Sequence, residues 1–183
     1  MNNSTIYYLF CKTPLCFENN LPNNILNYIE NKRGKNLKDS LFAWHLLNKY
    51  SNKDLSNITF LKSGKPILEG LTFSISHSNG YVAVAFTTEN IGLGIDIEKI
   101  TDRNLDFLTK LSNKFKGGTA TLFKLWTEHE STIKALNGNV LKDFNNEFKG
   151  ITKTITNVDG SFSLSIYNDS NIKIKEITYE DNV

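Results

Sequence analysis

Cysteine is scarce in this chain. Cys11 and Cys16 are the only two among 183 residues, and they have neither metal-ligand nor thioredoxin spacing, so both read as inert thiols. Long apolar runs are missing as well. None approaches the length of a membrane span, and Met1-Asn-Asn-Ser lacks the basic start and cleavage site of a signal peptide, which predicts a cytoplasmic protein with no membrane partner. Charge of one sign is not in excess: the formal net charge of +2 is too small to argue for nucleic acid. No short tandem repeat occurs, and the many asparagines are dispersed instead of forming a tract. A nucleophile elbow of the G-x-S-x-G type is absent too, and adjacent Ser76 and His77 on a strand would face opposite ways, which excludes a hydrolase dyad there.

What remains is ordinary globular material. Hydrophobic content of 39% and charged content of 22% argue against disorder. The length suits one medium domain or two small lobes, burying roughly two-thirds of the unfolded surface.

The most legible stretch is 73–98. Asn79-Gly80 lies between two alternating runs and signals a type I′ hairpin, in which both central residues need positive φ. The turn predicts the pairs Ser78 with Tyr81, His77 with Val82, Ile75 with Val84 and Phe73 with Phe86. Phe73, Ile75, Val82, Val84 and Phe86 then share one face. A third strand follows, with Ile91, Leu93, Ile95 and Ile97 on one side and Gly92, Gly94, Asp96 and Glu98 on the other. Glycines in a strand mark a bulge or a close approach by a ligand or another backbone.

Elsewhere Thr5 to Lys12 reads as a strand, Pro22 to about Glu30 as a short helix, and Leu37 to Tyr50 as a stronger one. A basic turn, Asn31-Lys-Arg-Gly-Lys35, precedes the second helix; it reads as a solvated charged turn or as a phosphate site. Lys65, between Gly64 and Pro66, reads as a turn lysine or an anion contact. Leu105 to Ser112 predicts a short helix. Thr119 to Asn137 predicts a long one, capped by Asn137-Gly138, with an apolar stripe of Leu122, Leu125, Trp126, His129, Ile133 and Leu136. Glu130 and Lys134 sit together at the edge of that stripe. Three alternating runs from Phe148 to Glu180 predict an antiparallel meander.

Asp96, Glu98 and Glu130 could converge on one hard cation if the long helix packs on the glycine-cleared face, since all-oxygen ligation suits Mg²⁺ or Mn²⁺. By spacing alone the strand pair also reads as solvated surface, and Glu130 with Lys134 as an ordinary helix ion pair. His77 reads as a structural residue or a phosphate contact.

Four motifs taken in order, Gly64-Lys65-Pro66, Phe73-Ser-Ile-Ser-His-Ser78, Gly94-Ile-Asp-Ile-Glu98 and Trp126-Thr-Glu-His-Glu-Ser-Thr-Ile-Lys-Ala135, resemble those of the Sfp-type 4′-phosphopantetheinyl transferases. The resemblance spans about residues 30 to 140. It implies an α+β fold of two similar lobes, a monomeric pseudo-dimer in which each lobe is an antiparallel sheet packed with helices, here 1–88 and 89–183. It implies transfer of the phosphopantetheine arm of coenzyme A to a serine of an acyl or peptidyl carrier protein, with release of 3′,5′-ADP. Asp96, Glu98 and Glu130 would hold Mg²⁺, or Mn²⁺, on the pyrophosphate. Glu130 would also help remove the serine proton, directly or through water. Lys134 would offset phosphate charge, and Lys35, Lys65, Ser76 and His77 would hold the phosphates of coenzyme A. Three features depart from the family pattern: Lys35 stands where an arginine is more usual, His129 replaces a lysine, and the segment between Glu98 and Trp126, where the carrier normally docks, is short. The alternative is a coenzyme A or nucleotide-binding module that has lost transfer activity.

Overall fold

The computed structural model describes residues 4–18, 20–31, 36–101, 118–138, 150–158, 161–170 and 172–180. Among these the chain is α+β, with one mixed and two antiparallel sheets and three α-helices. In chain order the elements are β1 (Thr5–Lys12), α1 (Asn23–Asn31), α2 (Leu37–Ser51), a 3₁₀ turn (Leu55–Asn57), β2 (Thr59–Phe60), β3 (Pro66–Ile67), β4 (Thr72–Ser78), β5 (Tyr81–Thr87), β6 (Leu93–Lys99), α3 (Thr119–Leu136), β7 (Ile151–Val158), β8 (Phe162–Asn168) and β9 (Lys173–Glu176). They form two compact units, Met1–Asn90 with Ile172–Val183, and Ile91–Asn171. The helix expected over Leu105 to Ser112 lies outside the described residues. No helix among the described residues is long and apolar enough to cross a membrane.

In the first unit the sheet order is β4-β5-β1-β9. The hairpin has the register expected from its turn: Ser78 opposes Tyr81, His77 opposes Val82 and Phe73 opposes Phe86. Asn79 and Gly80 take φ of 50° and 80°, the positive values a type I′ turn requires. Phe73, Val82, Val84 and Phe86 are buried against Phe42, Ala43, Leu46 and Leu47 of α2, with Trp44 edge-on to Phe73 at 5.6 Å. Burial of this face stabilises the unit, since each fully buried large side chain is worth about 1.5–3 kcal/mol. His45 belongs to the same packing, its ring against Phe17 and Phe42, and burial pushes its pKa down.

The tail differs from expectation. Only β7 and β8 pair with each other in the run expected as a three-stranded meander; β9 leaves them and pairs parallel to β1, Ile6 opposite Ile174. Residues 172–183, assigned from sequence to the C-terminal lobe, are thus part of the first unit. The reason is that β8 is already filled on both sides, by β6 and β7. Ile177 and Tyr179 then pack on the first unit's core, and the Tyr8 hydroxyl donates to Glu176 Oε2 at 2.8 Å. Truncation after Ser170 is therefore expected to lower the urea midpoint of the first unit, where a tail belonging to the second would leave it unchanged.

In the second unit β6, β8 and β7 form an antiparallel sheet in that order, and α3 lies across β6 and β8. Asn137 caps α3 in the left-handed region at φ 54°, and the Gly138 N–H donates to Ile133 O at 3.0 Å. The face of α3 differs from the expected apolar stripe. Phe123, Thr127, Ser131 and Ala135 are buried along with Leu122 and Ile133, while Leu136 is 42% exposed. The helix sits too close to the sheet for large side chains, so small and hydroxylated residues face the strands.

Candidate functional site

The close approach begins at Gly94. A methyl there would overlap the Ser131 carbonyl oxygen and lie 2.8 Å from the Ala135 nitrogen, so β6 touches the helix backbone itself. Asp96 and Glu98 follow on the same face of the strand. Asp96 is only 2% exposed. Lys134, from the last turn of α3, donates to Asp96 Oδ1 at 2.6 Å and to the Ile95 carbonyl at 3.2 Å.

Glu130 stands one helical turn before Lys134. Burial first, and then repulsion from Asp96, raise its pKa to about 7, with Lys134 acting in the opposite direction. Two carboxylates facing one ammonium leave a surplus negative charge in a poorly solvated place, which a proton or a cation relieves. The structure thus brings Asp96, Glu130 and Lys134 together. Glu98 is half-buried farther along the strand.

Among the described residues no three His, Cys, Asp or Glu side chains are grouped closely enough to ligate a metal ion. The donor chemistry at Asp96 and Glu130 nonetheless fits a hard divalent cation, because both are carboxylates and their charges are under-neutralised. Such an ion would compete with Lys134 for Asp96.

The other expected contacts belong to the first unit. Lys65 follows Gly64, whose positive φ of 81° shapes the turn and whose carbonyl accepts from the Tyr28 hydroxyl at 2.9 Å. Burial lowers the pKa of Lys65, so an anion beside it would restore its charge. His77 faces α2, with Nε2 2.9 Å from Ser40 Oγ, while Ser76 is buried on the opposite face of β4. Lys35 and the rest of the basic turn from Lys32 lie outside the described residues.

Sequence reasoning missed Asp39 and Ser40. Asp39 is buried and accepts from Thr13 Oγ1 at 2.7 Å and from the Gly80 N–H at 3.1 Å, while the Thr13 N–H donates to Gly80 O at 2.8 Å. One carboxylate thus clasps the end of β1 and the tip of the hairpin that carries Ser76 and His77. The available signal was an acidic residue in the first turn of a helix, a favoured place for negative charge.

A cavity of about 480 Å³ also opens in the first unit, lined by Tyr7, Tyr50, Ser51, Phe86 and Glu89 among others. It includes none of the expected site residues, and its carboxylate and hydroxyls do not suit a phosphate. No family model matches the chain, and no curated protein is significantly similar to it.

Proposed function

We propose that this chain is a phosphoryl-group transferase acting on a pyrophosphate, and specifically a 4′-phosphopantetheinyl transferase of the Sfp type that uses coenzyme A and a divalent cation to modify an acyl or peptidyl carrier protein. The observation that carries the reading is the trio of buried Asp96 with half-buried Glu130 and Lys134, beside the close approach at Gly94. The four motifs in order supply the substrate class.

The chemistry asks little covalent help from the protein. The carrier serine oxygen forms a bond to the β-phosphorus of coenzyme A, the bond to 3′,5′-ADP breaks, and that phosphate leaves with the electron pair. Glu130, with its pKa near neutrality, is suited to take the serine proton. Lys134 would offset charge on the phosphates, and Lys65, Ser76 and His77 would hold the cofactor's anionic end, roles that rest on the motif resemblance. Mg²⁺ or Mn²⁺ would be held by Asp96 and Glu130, and it would supply neutralisation of the pyrophosphate when bound.

The wiring of the two units supports internal duplication. The first runs β1, α2, β4, β5 with sheet order β4-β5-β1; the second runs β6, α3, β7, β8 with order β7-β8-β6. Each is a strand, a helix and a hairpin whose second strand takes the centre.

The test is incubation with coenzyme A, Mg²⁺ and apo carrier proteins, followed by mass spectrometry. A phosphopantetheine mass shift is expected on the carrier. Coenzyme A binding by calorimetry without any shift, across several carriers and with folded protein, would favour an inactive binding module instead.

The raised pKa of Glu130 carries a stability signature. The native state holds a proton that the unfolded chain, with its ordinary carboxyl pKa of 4.5, releases between pH 4.5 and about 7. Stability from this group is therefore present below pH 4.5 and lost as pH rises through 7. His45, with a lowered pKa, contributes the opposite slope. Urea midpoints of wild type and Glu130→Gln across pH 5–8 isolate the carboxyl: the variant should gain on wild type as pH rises. A constant difference would contradict the assignment.

A further inference from the structure

Beneath α3 lies a row of hydroxyls that no part of the proposed chemistry uses. Thr127 Oγ1 is 2.9 Å from Ser163 Oγ and 2.8 Å from Ser165 Oγ, and it donates to the Lys124 carbonyl at 3.0 Å. Ser165 Oγ is 3.0 Å from Thr154 Oγ1, which donates to Glu128 Oε1 at 2.7 Å. Thr127, Ser163 and Ser165 are fully buried.

Proton arithmetic orders the row. Four hydroxyls own four protons, and five contacts claim them. The Thr154 proton goes to the Glu128 carboxylate, the charged acceptor. Thr127 donates to the Lys124 carbonyl, which can only accept, and so accepts in turn from Ser163. The Ser165 proton goes to Thr127 or to Thr154, and Thr127 and Ser165 stand at the centre of the row.

The row adjoins the acidic site. Ser165 is the cross-strand partner of both Asp96 on β6 and Thr154 on β7, so the three residues stand in line on the face that α3 covers. At Gly94 the contact between helix and strand is backbone against backbone, with no bulky side chain to stop α3 from sliding or turning. Directional hydrogen bonds of fixed length do stop it. Lys134 lies seven residues beyond Thr127, about 10 Å along the axis and nearly on the same face. A shift at Thr127 is thereby carried to Lys134 and Glu130.

From this geometry we infer that Thr127 is a positioning residue, whose hydroxyl row sets the rotation and depth of α3 and so aligns Lys134 and Glu130 with Asp96. The inference rests on the proposed transfer reaction for its kinetic consequence but not for its structural one. Thr127→Val keeps the shape and removes the hydroxyl; Thr127→Ser restores it. Holo-carrier formation by Thr127→Val should show kcat lower by about tenfold, with KM for coenzyme A within about twofold of wild type, because misplacing reacting groups slows the reaction without weakening binding. Thr127→Ser should recover most of kcat. In parallel, amide hydrogen exchange across 130–136 should quicken in Thr127→Val and stay slow in Thr127→Ser. If wild type transfers nothing, the proposed reaction falls while exchange still decides the role of the row. Wild-type exchange and kcat in Thr127→Val, or equal damage from serine, would overturn the inference. Should Thr127→Val fail to fold, Ser165→Ala, which removes the central oxygen of the row, is read by the same two measurements.

Discussion

Gly94→Ala is expected to cost the second unit about 3 kcal/mol, the upper end of what overpacking costs. The new methyl would meet the Ser131 carbonyl oxygen and carbon and the Ala135 nitrogen, all backbone atoms of α3. Side chains can rotate away from such an intrusion, but a helix backbone can yield only by moving as a whole. Moving it separates Lys134 from Asp96 and disrupts the hydroxyl row beneath Thr127. Urea unfolding should show the loss, and any folded variant should be poorly active. Gly92→Ala is the matched control, since the atoms nearest its methyl belong to the Asp169 side chain, with Oδ2 at 2.7 Å, which can swing aside. Equal effects at the two glycines would remove the close-approach argument.

Asp96→Ala is expected to reduce metal-dependent transfer by about a thousandfold, the scale seen when a preorganised charge-stabilising group is removed. The fold should survive. Lys134 is 31% exposed and keeps the Ile95 carbonyl, and with Asp96 gone the repulsion that adds to burial in raising the pKa of Glu130 is relieved. The pKa of Glu130 moves down toward the ordinary carboxylate range, which favours its service as the counter-charge to Lys134. Transfer rates by mass spectrometry and the urea midpoint distinguish the outcomes. A variant that is unfolded would mark Asp96 as a structural carboxylate, and a variant with wild-type turnover would place the chemistry elsewhere.

Different parts of the molecule were legible to different degrees. The hairpin was readable to the residue because Asn79-Gly80 encodes its turn locally, and the turn then dictates every pair in β4 and β5. Gly94 could be recognised as a close approach, and Glu130 and Lys134 as neighbours at one edge of a helix, because strand and helix periods are properties of short segments. The buried face of α3 was readable only in part. Hydrophobic content points to Leu122 and Ile133, which are buried, but also to Trp126 and His129, which are not, whereas distance from the sheet selects Thr127 and Ser131, and that distance is set by a glycine on another element. The destination of β9 was hidden for a similar reason: its alternation shows a strand, but the free edge it joins is β1, at the opposite end of the chain.

By itself, then, the sequence determined the elements, the hairpin register and the residue types gathered near Asp96, since these depend on local dihedral preferences and short periodicities. The clasp of Asp39 on Gly80, the buried pairing of Asp96 with Lys134, the raised pKa of Glu130 and the hydroxyl row under Thr127 were decided only by tertiary structure. Each depends on desolvation and on distances between segments far apart in the chain. Local pattern can supply a carboxylate, but only packing decides whether that carboxylate is buried, paired and short of positive charge.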